Sequence, residues 1–213
     1  PARLRRMIAV NTDIMIRSVL LQICFLTLTF RSASLGDVTL AANQILLQFL
    51  SVSAHVLDGF AFAAEALVGS AVGARNRTAL RRAGWLTSLW GLGVVLLLTA
   101  FYALAGGWII AEMTTAEPVR AAARDYLIWC VVAPLMGLPA FMLDGIFIGA
   151  TRTRDMRNMM ILSAGGYFAL LLVTVPAFGN HGLWGALMAF FVLRALTLWW
   201  RYPALEADAA RAA

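Results

Sequence analysis

Residues 40–73 constrain this chain more than any other stretch. The segment is long enough to cross a bilayer as a helix, for which about 20 apolar residues suffice, yet ionisable groups sit in its middle. Gln44, Gln48, Ser51, His55, Asp58 and Glu65 follow one another at steps of three, four or seven residues, so they share one face of one helix. The remaining faces carry Leu, Val, Ala and Phe. A charge at mid-membrane costs about 2.5 to 3.5 kcal/mol on insertion scales, so this wet seam is expected to face a bundle interior or a water-filled cavity.

Composition puts the whole chain in the same class. Hydrophobic residues make up 62% of the 213 positions and charged residues 13%, whereas charged residues run near about 25% in soluble domains. This reads as an integral membrane protein of all-α class. The net charge of +6 comes from 17 arginines and no lysine. The arginines lie between apolar runs, as topology signals do, so the basic balance points to the lipid bilayer and not to nucleic acid. Cys24 and Cys130 each sit inside an apolar run and read as small core residues with no disulfide framework. The chain opens on Pro1 and runs straight into Arg3, Arg5 and Arg6, as a linker cut open would, so a piece of a longer protein is expected.

Six spans are predicted, at residues 8–30, 40–72, 83–105, 126–150, 159–178 and 183–200. Leu35-Gly36-Asp37 and Gly179-Asn180-His181-Gly182 read as turns. Residues 114–125, with Pro118 near a helix start and Arg120 one turn before Arg124, predict a short interfacial helix leading into the fourth span. Arg75, Arg77, Arg81, Arg82, Arg152, Arg154, Arg157, Arg201 and Arg211 join the amino-terminal arginines on one side, against Arg31, Arg120 and Arg124 on the other. The first side is therefore expected to be cytoplasmic, with both termini inside. Trp85, Trp199, Trp200 and Tyr202 at the inner interface, with Trp108, Tyr126 and Trp184 at the outer one, would form aromatic anchors.

Leu57-Asp58-Gly59-Phe60 in the second span recurs as Leu143-Asp144-Gly145-Ile146 in the fourth. Both spans run in the same direction, so two carboxylates enter the membrane on co-directional helices. The small-residue pairs Gly69 with Gly73, and Gly145 with Gly149, predict close helix approaches. An intramembrane carboxylate marks a pathway or proton relay by default, and Asp144 and Asp58 carry that reading. Glu65 is open between a relay role and a bond to a neighbouring helix, and His55, one turn before Asp58, between extending the relay and a plain hydrogen bond. Arg17 is expected to pair with Asp13 four residues earlier. Arg194 has no acid nearby in sequence and needs a partner from another span or a route to the interface.

The runs Leu40-Ala41-Ala42-Asn43-Gln44-Ile45-Leu46, Leu57-Asp58-Gly59-Phe60-Ala61 and Glu65-Ala66-Leu67-Val68-Gly69 resemble the multidrug and toxic compound extrusion (MATE) transporters, in their DinF-like branch. So do Asp144-Gly145-Ile146-Phe147-Ile148-Gly149-Ala150-Thr151, Arg154-Asp155-Met156-Arg157-Asn158 and Gly179-Asn180-His181-Gly182-Leu183-Trp184. The resemblance covers nearly the whole chain but only the second half of the family's architecture of two six-helix lobes. It implies that residues 1–213 are the C-terminal lobe, with the substrate cavity between or within the lobes and an N-terminal lobe as the missing partner. Asp144 falls where the NorM-like branch has a cation-linked carboxylate on its tenth helix. The seventh-helix glutamate of that branch has no acidic counterpart here, where Gln22 and Cys24 stand instead. That difference implies proton coupling in preference to sodium.

The expected function is half of a secondary transporter that exports amphipathic cationic compounds in exchange for protons, in a bacterial inner membrane, with no metal or cofactor. The candidate ion and substrate pathway comprises Asp144, Asp58, Glu65, His55, Gln48 and Gln44. A lipid-linked precursor flippase of the same superfamily is the alternative, which a large cationic cavity would favour. An inserted but inactive truncated product is another. An intramembrane aspartyl protease using Asp58 and Asp144 lacks its usual Gly-x-Gly-Asp signature.

Overall fold

The computed structural model describes residues 2–211 and consists of five long helices. Pro1 and the side chains of Arg3, Arg6 and Arg211, used above for the chain's opening and orientation, lie outside the described residues. The helices are α1 (Ala2–Ser34), α2 (Asp37–Gly73), α3 (Arg77–Met113), α4 (Glu117–Gly149) and α5 (Thr153–Arg211). Each is long and apolar enough to cross a membrane.

The fifth helix is broken at Gly179, whose φ of 55° and ψ of −128° are not helical. Its two limbs fold back on one another. Thr174 Oγ1 donates to the Gly182 carbonyl at 2.9 Å, and the rings of Tyr167 and Phe190 lie 5.4 Å apart. Further from the bend, Ser163 and Thr197 hydroxyls meet at 3.2 Å. Partners thus separate evenly in sequence on both sides of the break, as in an antiparallel hairpin. The predicted fifth and sixth spans are these two limbs, and the chain makes six passes with five helices. The turn predicted over residues 179–182 is compressed into one residue because glycine reaches positive φ without steric cost. Gly182 can follow at once, since a Cβ there would lie 2.0 Å from the Thr174 carbonyl oxygen.

The helices overrun most of the predicted spans, since a helix satisfies its own backbone and need not stop where the apolar run does. The separate interfacial helix expected at residues 114–125 does not form. Helix α4 starts at Glu117, with Pro118 in its first turn, and continues unbroken into the fourth span. The Arg120 side chain donates to the carbonyls of Ala111 and Thr114 at 2.6 Å, which ties the end of α3 to the start of α4.

Helices α2 and α4 form the most extensive contact in the bundle. They run in parallel, with Gly145 on Ala61 and Gly149 on Glu65. This places Asp144 and Asp58 at nearly the same level. Of the four glycines expected at close approaches, Gly69, Gly145 and Gly149 meet neighbouring backbone, whereas Gly73 has open space beside it. Gly73 lies beyond the end of α4.

An ion-pair lattice closes the arginine-rich end. Arg77 and Arg81 both hold Glu206, Arg152 reaches Asp155 and Asp208, and Arg201 joins Asp155. Arg157 Nη1 donates to Asp13 at 2.5 Å and Thr153 Oγ1 to the same carboxylate at 3.1 Å. Asp13 is therefore occupied by α5, and the expected local pair of Asp13 with Arg17 is not formed. At the other end, Asn43 Nδ2 donates to Ser32 Oγ (2.6 Å) and Asn180 Oδ1 (2.7 Å), while Trp184 Nε1 donates to Asn43 Oδ1 (2.9 Å). Trp184, expected as an interfacial anchor, is fully buried in this knot. Trp85, Trp108, Trp199 and Trp200 do face outward. Cys24 and Cys130 are buried and free, as read from the sequence.

Candidate functional site

The site is built where α1, α2, α4 and α5 meet. Asp144 sits on α4, buried among apolar side chains with only 4% of its surface exposed. The close approach enforced by Gly145 presses this turn of α4 onto α2. Asp144 Oδ2 accepts hydrogen bonds from Arg17 Nη2 of α1 and from Arg194 Nη2 of α5. The same oxygen serves both, while Asp144 Oδ1, Arg17 Nε and the Nε and Nη1 of Arg194 have no hydrogen-bond partner among the described residues.

Arg194 is 1% exposed. Its guanidinium carbon lies 5.5, 5.6 and 6.0 Å from the ring centroids of Phe141, Phe190 and Phe191. Aromatic faces attract a cation, and the attraction grows when water is excluded. The rings therefore stand in part for the hydration that Arg194 has lost. One carboxylate nevertheless faces two guanidiniums, which leaves one positive charge in excess.

Asp58 brings a second carboxylate to the same cavity as Arg17. It lines, with Arg17, Phe25, Ser53, Phe141 and Phe191 among others, a cavity of about 130 Å³. Asp58 is partly exposed and has no ion pair among the described residues. Arg17 thus links the two carboxylates: it is bonded to one and shares a cavity with the other. Ser53 is held from behind by the Phe49 carbonyl at 2.9 Å and by Tyr102 Oη at 3.3 Å.

The other residues of the α2 seam do not join this cluster. Gln44, Gln48, Ser51 and His55 are exposed on the outer surface of the bundle. The seam expected to face a bundle interior faces away from this one, because the core takes the neighbouring stripe of Leu46, Phe49, Leu50, Ser53, Leu57 and Ala61. His55 Nδ1 lies 2.6 Å from the Ser51 carbonyl oxygen, and Gln44 Nε2 donates to Thr29 at 3.4 Å. Glu65 lies two turns further along α2, in a shallow depression with Phe62, Gly69 and Thr151. No group of three or more potential metal ligands occurs among the described residues.

Arg17 and Arg194 are the ion-pair partners that sequence patterning did not assign to Asp144. The signal available was their position inside apolar runs, and for Arg194 the lack of any local acid. The aromatic cage carried no signal, since phenylalanines are ordinary in a membrane span.

Comparison with known proteins agrees with this architecture. The MatE family model matches residues 14–173. DNA damage-inducible protein F of Escherichia coli (strain K12) is 47% identical over 195 residues, covering 91% of this chain and 42% of that protein. A probable multidrug resistance protein NorM of Pseudomonas syringae pv. tomato is 30% identical over 154 residues, covering 70% of this chain and 32% of that one. Among solved structures, a MATE protein crystallised in the bent conformation superposes with a TM-score of 0.83 at 16% identity, over 92% of this chain and 44% of that one. At that identity the likeness shows the fold. The chain spans less than half the length of each of these relatives.

Proposed function

Because the chain belongs to the MatE family and is a multi-pass membrane protein, we propose that it is the C-terminal half of an efflux transporter exchanging amphipathic cationic compounds for protons. Asp58 is the carboxylate that meets cargo and protons in this reading. The observation that carries it is the contrast between the two aspartates: Asp144 is enclosed by two arginines, whereas Asp58 opens onto a cavity and has no ion pair among the described residues. Asp144 then holds the α1, α4 and α5 helices in register beneath the cavity and sets the charge that Asp58 feels. The likeness to a probable multidrug resistance protein supports the choice of cargo.

The exposed polar stripe of α2 supports a partner lobe. Gln44, Gln48, Ser51 and His55 are costly against lipid but suit the wall of an aqueous cleft between two bundles. Alternating access in such carriers moves one bundle against another around a site. The arginine-rich end faces the cytoplasm, by the rule that cytoplasmic loops carry excess arginine, and the membrane is the bacterial inner membrane. The flippase alternative is favoured by the excess positive charge at Asp144 but disfavoured by Asp58 and Glu65, both partly exposed on α2, whose carboxylates would repel an anionic headgroup.

The test is export of a cationic dye by an efflux-deficient host that expresses the chain with and without an N-terminal lobe. Export with the lobe, dissipated by a protonophore and lost in Asp58→Asn, is the expected result. Export by the chain alone would show that it works as a homo-oligomer. Absence of export in either setting would leave an inactive fragment as the reading.

A further inference from the structure

The charge cluster around Asp144 balances only with help from Asp58. Arg17 and Arg194 together bring two positive charges to one carboxylate, and the second negative charge at this level of the membrane is Asp58 across the cavity. Whenever Asp58 is neutralised, by a proton or by a bound cation, the cluster keeps an uncompensated guanidinium in a low-dielectric interior. Such a charge is expensive unless something pairs with it.

We propose that the cavity between Arg17 and Asp58 binds a small inorganic monoanion of the size of chloride when Asp58 is neutralised, with the Arg17 guanidinium as its anchor. The cavity holds about 130 Å³, against a share of about 30 Å³ per water in the liquid, so a halide fits with a few waters and a large organic anion does not. The Arg17 side chain lines this cavity and is 16% exposed, while Ser53 shares the wall with its hydroxyl proton already given to the Phe49 carbonyl, so the guanidinium is the contact that an anion would find. Phe25, Phe141 and Phe191 keep the remaining walls apolar, which strengthens an ionic contact by excluding water. When Asp58 is ionised, its charge repels the anion from the same small space, so anion and carboxylate charge are alternatives.

The groups that face Asp58 are few and come from every helix around it. Arg17 belongs to α1, Asp144 to α4 and Arg194 to α5, while His55 stands one turn earlier on α2 itself. From α3 the nearest titratable group is Tyr102, bonded to Ser53 and the Phe49 carbonyl. Among the groups that line the cavity itself, Asp58 is the one that can lose its charge without breaking an ion pair; His55, which also gains charge on acidification, lies outside the lining, and the Asp58→Asn variant separates the two. The inference uses the same cluster as the transport reading, yet it is tested by binding, so its failure is separate from a failure to export dye.

The experiment measures the thermal unfolding midpoint of the complete transporter containing this chain, in detergent, as chloride replaces gluconate at constant ionic strength. The expected result is a chloride-specific rise in midpoint for Asp58→Asn, half-saturating at a chloride concentration at least about tenfold lower than in the wild type at neutral pH, as removal of one nearby charge requires. In the wild type the chloride-specific shift should grow as the pH falls. Adding Arg17→Gln to Asp58→Asn should abolish the response, and adding Arg17→Lys should retain it. Equal midpoints in chloride and gluconate for a monodisperse Asp58→Asn protein overturn the proposal. Should that variant not fold, the wild-type pH series decides: no growth of the shift on acidification overturns it equally.

Discussion

Gly145 lies so close to Ala61 that a Cβ on it would come within 2.3 Å of the Ala61 carbonyl oxygen. This contact sets the depth at which α4 sinks onto α2, and it occurs one residue after Asp144. Overpacking a tight contact typically costs about 1 to 3 kcal/mol. Gly145→Ala is therefore expected to lower the thermal midpoint in detergent markedly, and Gly149→Ala similarly, with its Cβ 2.4 Å from the Glu65 carbonyl oxygen. Gly73→Ala should leave the midpoint unchanged, because nothing lies within 4 Å of that Cβ. Equal stability of the Gly145 and Gly73 variants would show that α2 and α4 pack less closely than described.

The two aspartates should separate by what their amides do to folding. Breaking a buried ion pair by removing one partner costs about 3 to 5 kcal/mol, since the remaining charges are left uncompensated. Asp144→Asn leaves both Arg17 and Arg194 without a carboxylate and should reduce the amount of monodisperse protein as well as efflux. Asp58→Asn breaks no direct ion pair and should accumulate better than Asp144→Asn in chloride buffer while losing proton-driven export. Size-exclusion profiles beside dye export distinguish the two; a stable, inactive Asp144→Asn would return the proton-carrying role to Asp144.

At the other end of the bundle, Asn43 is the hub on which α1, α2 and the bend of α5 converge. Asn43→Ala removes acceptors from Trp184 and Asn180 and a donor from Ser32. Each buried group left unsatisfied costs about 1 to 3 kcal/mol. A strong loss of thermal stability is expected, with Asn180→Ala milder because it leaves the Trp184 and Ser32 bonds intact. Unchanged melting of Asn43→Ala would mean that water replaces the side chain there.

Sidedness is checked by thiol labelling in a background lacking Cys24 and Cys130. Single cysteines at Asp37, Glu117 and His181 should react with an impermeant reagent added outside, and those at Asn76 and Asn158 should not. His181 is used because its neighbour Asn180 is 5% exposed and would not label from either side. The opposite pattern would invert the orientation drawn from the arginines.

Much of this architecture is written in local composition. Apolar runs of spanning length, broken by short turns, determine that the chain crosses the membrane six times, because each helix satisfies its own backbone without help from the others. The step from Gln44 to Glu65 likewise determines that α2 carries a polar stripe, whatever packs against it. What local spacing cannot contain is the choice of ion-pair partners. Asp13 and Arg17 are one turn apart and look paired on α1, yet Asp13 bonds to Arg157 and Thr153 of α5 while Arg17 bonds to Asp144 of α4. Arg194 reaches the same carboxylate from α5. Nor does the stripe say which way it points: the core took the adjoining face with Leu46 and Leu57, and left Gln48 and His55 outside. Both outcomes depend on contacts between helices far apart in sequence, where burial makes an unpaired charge so costly that the whole bundle, and no single helix, selects each partner.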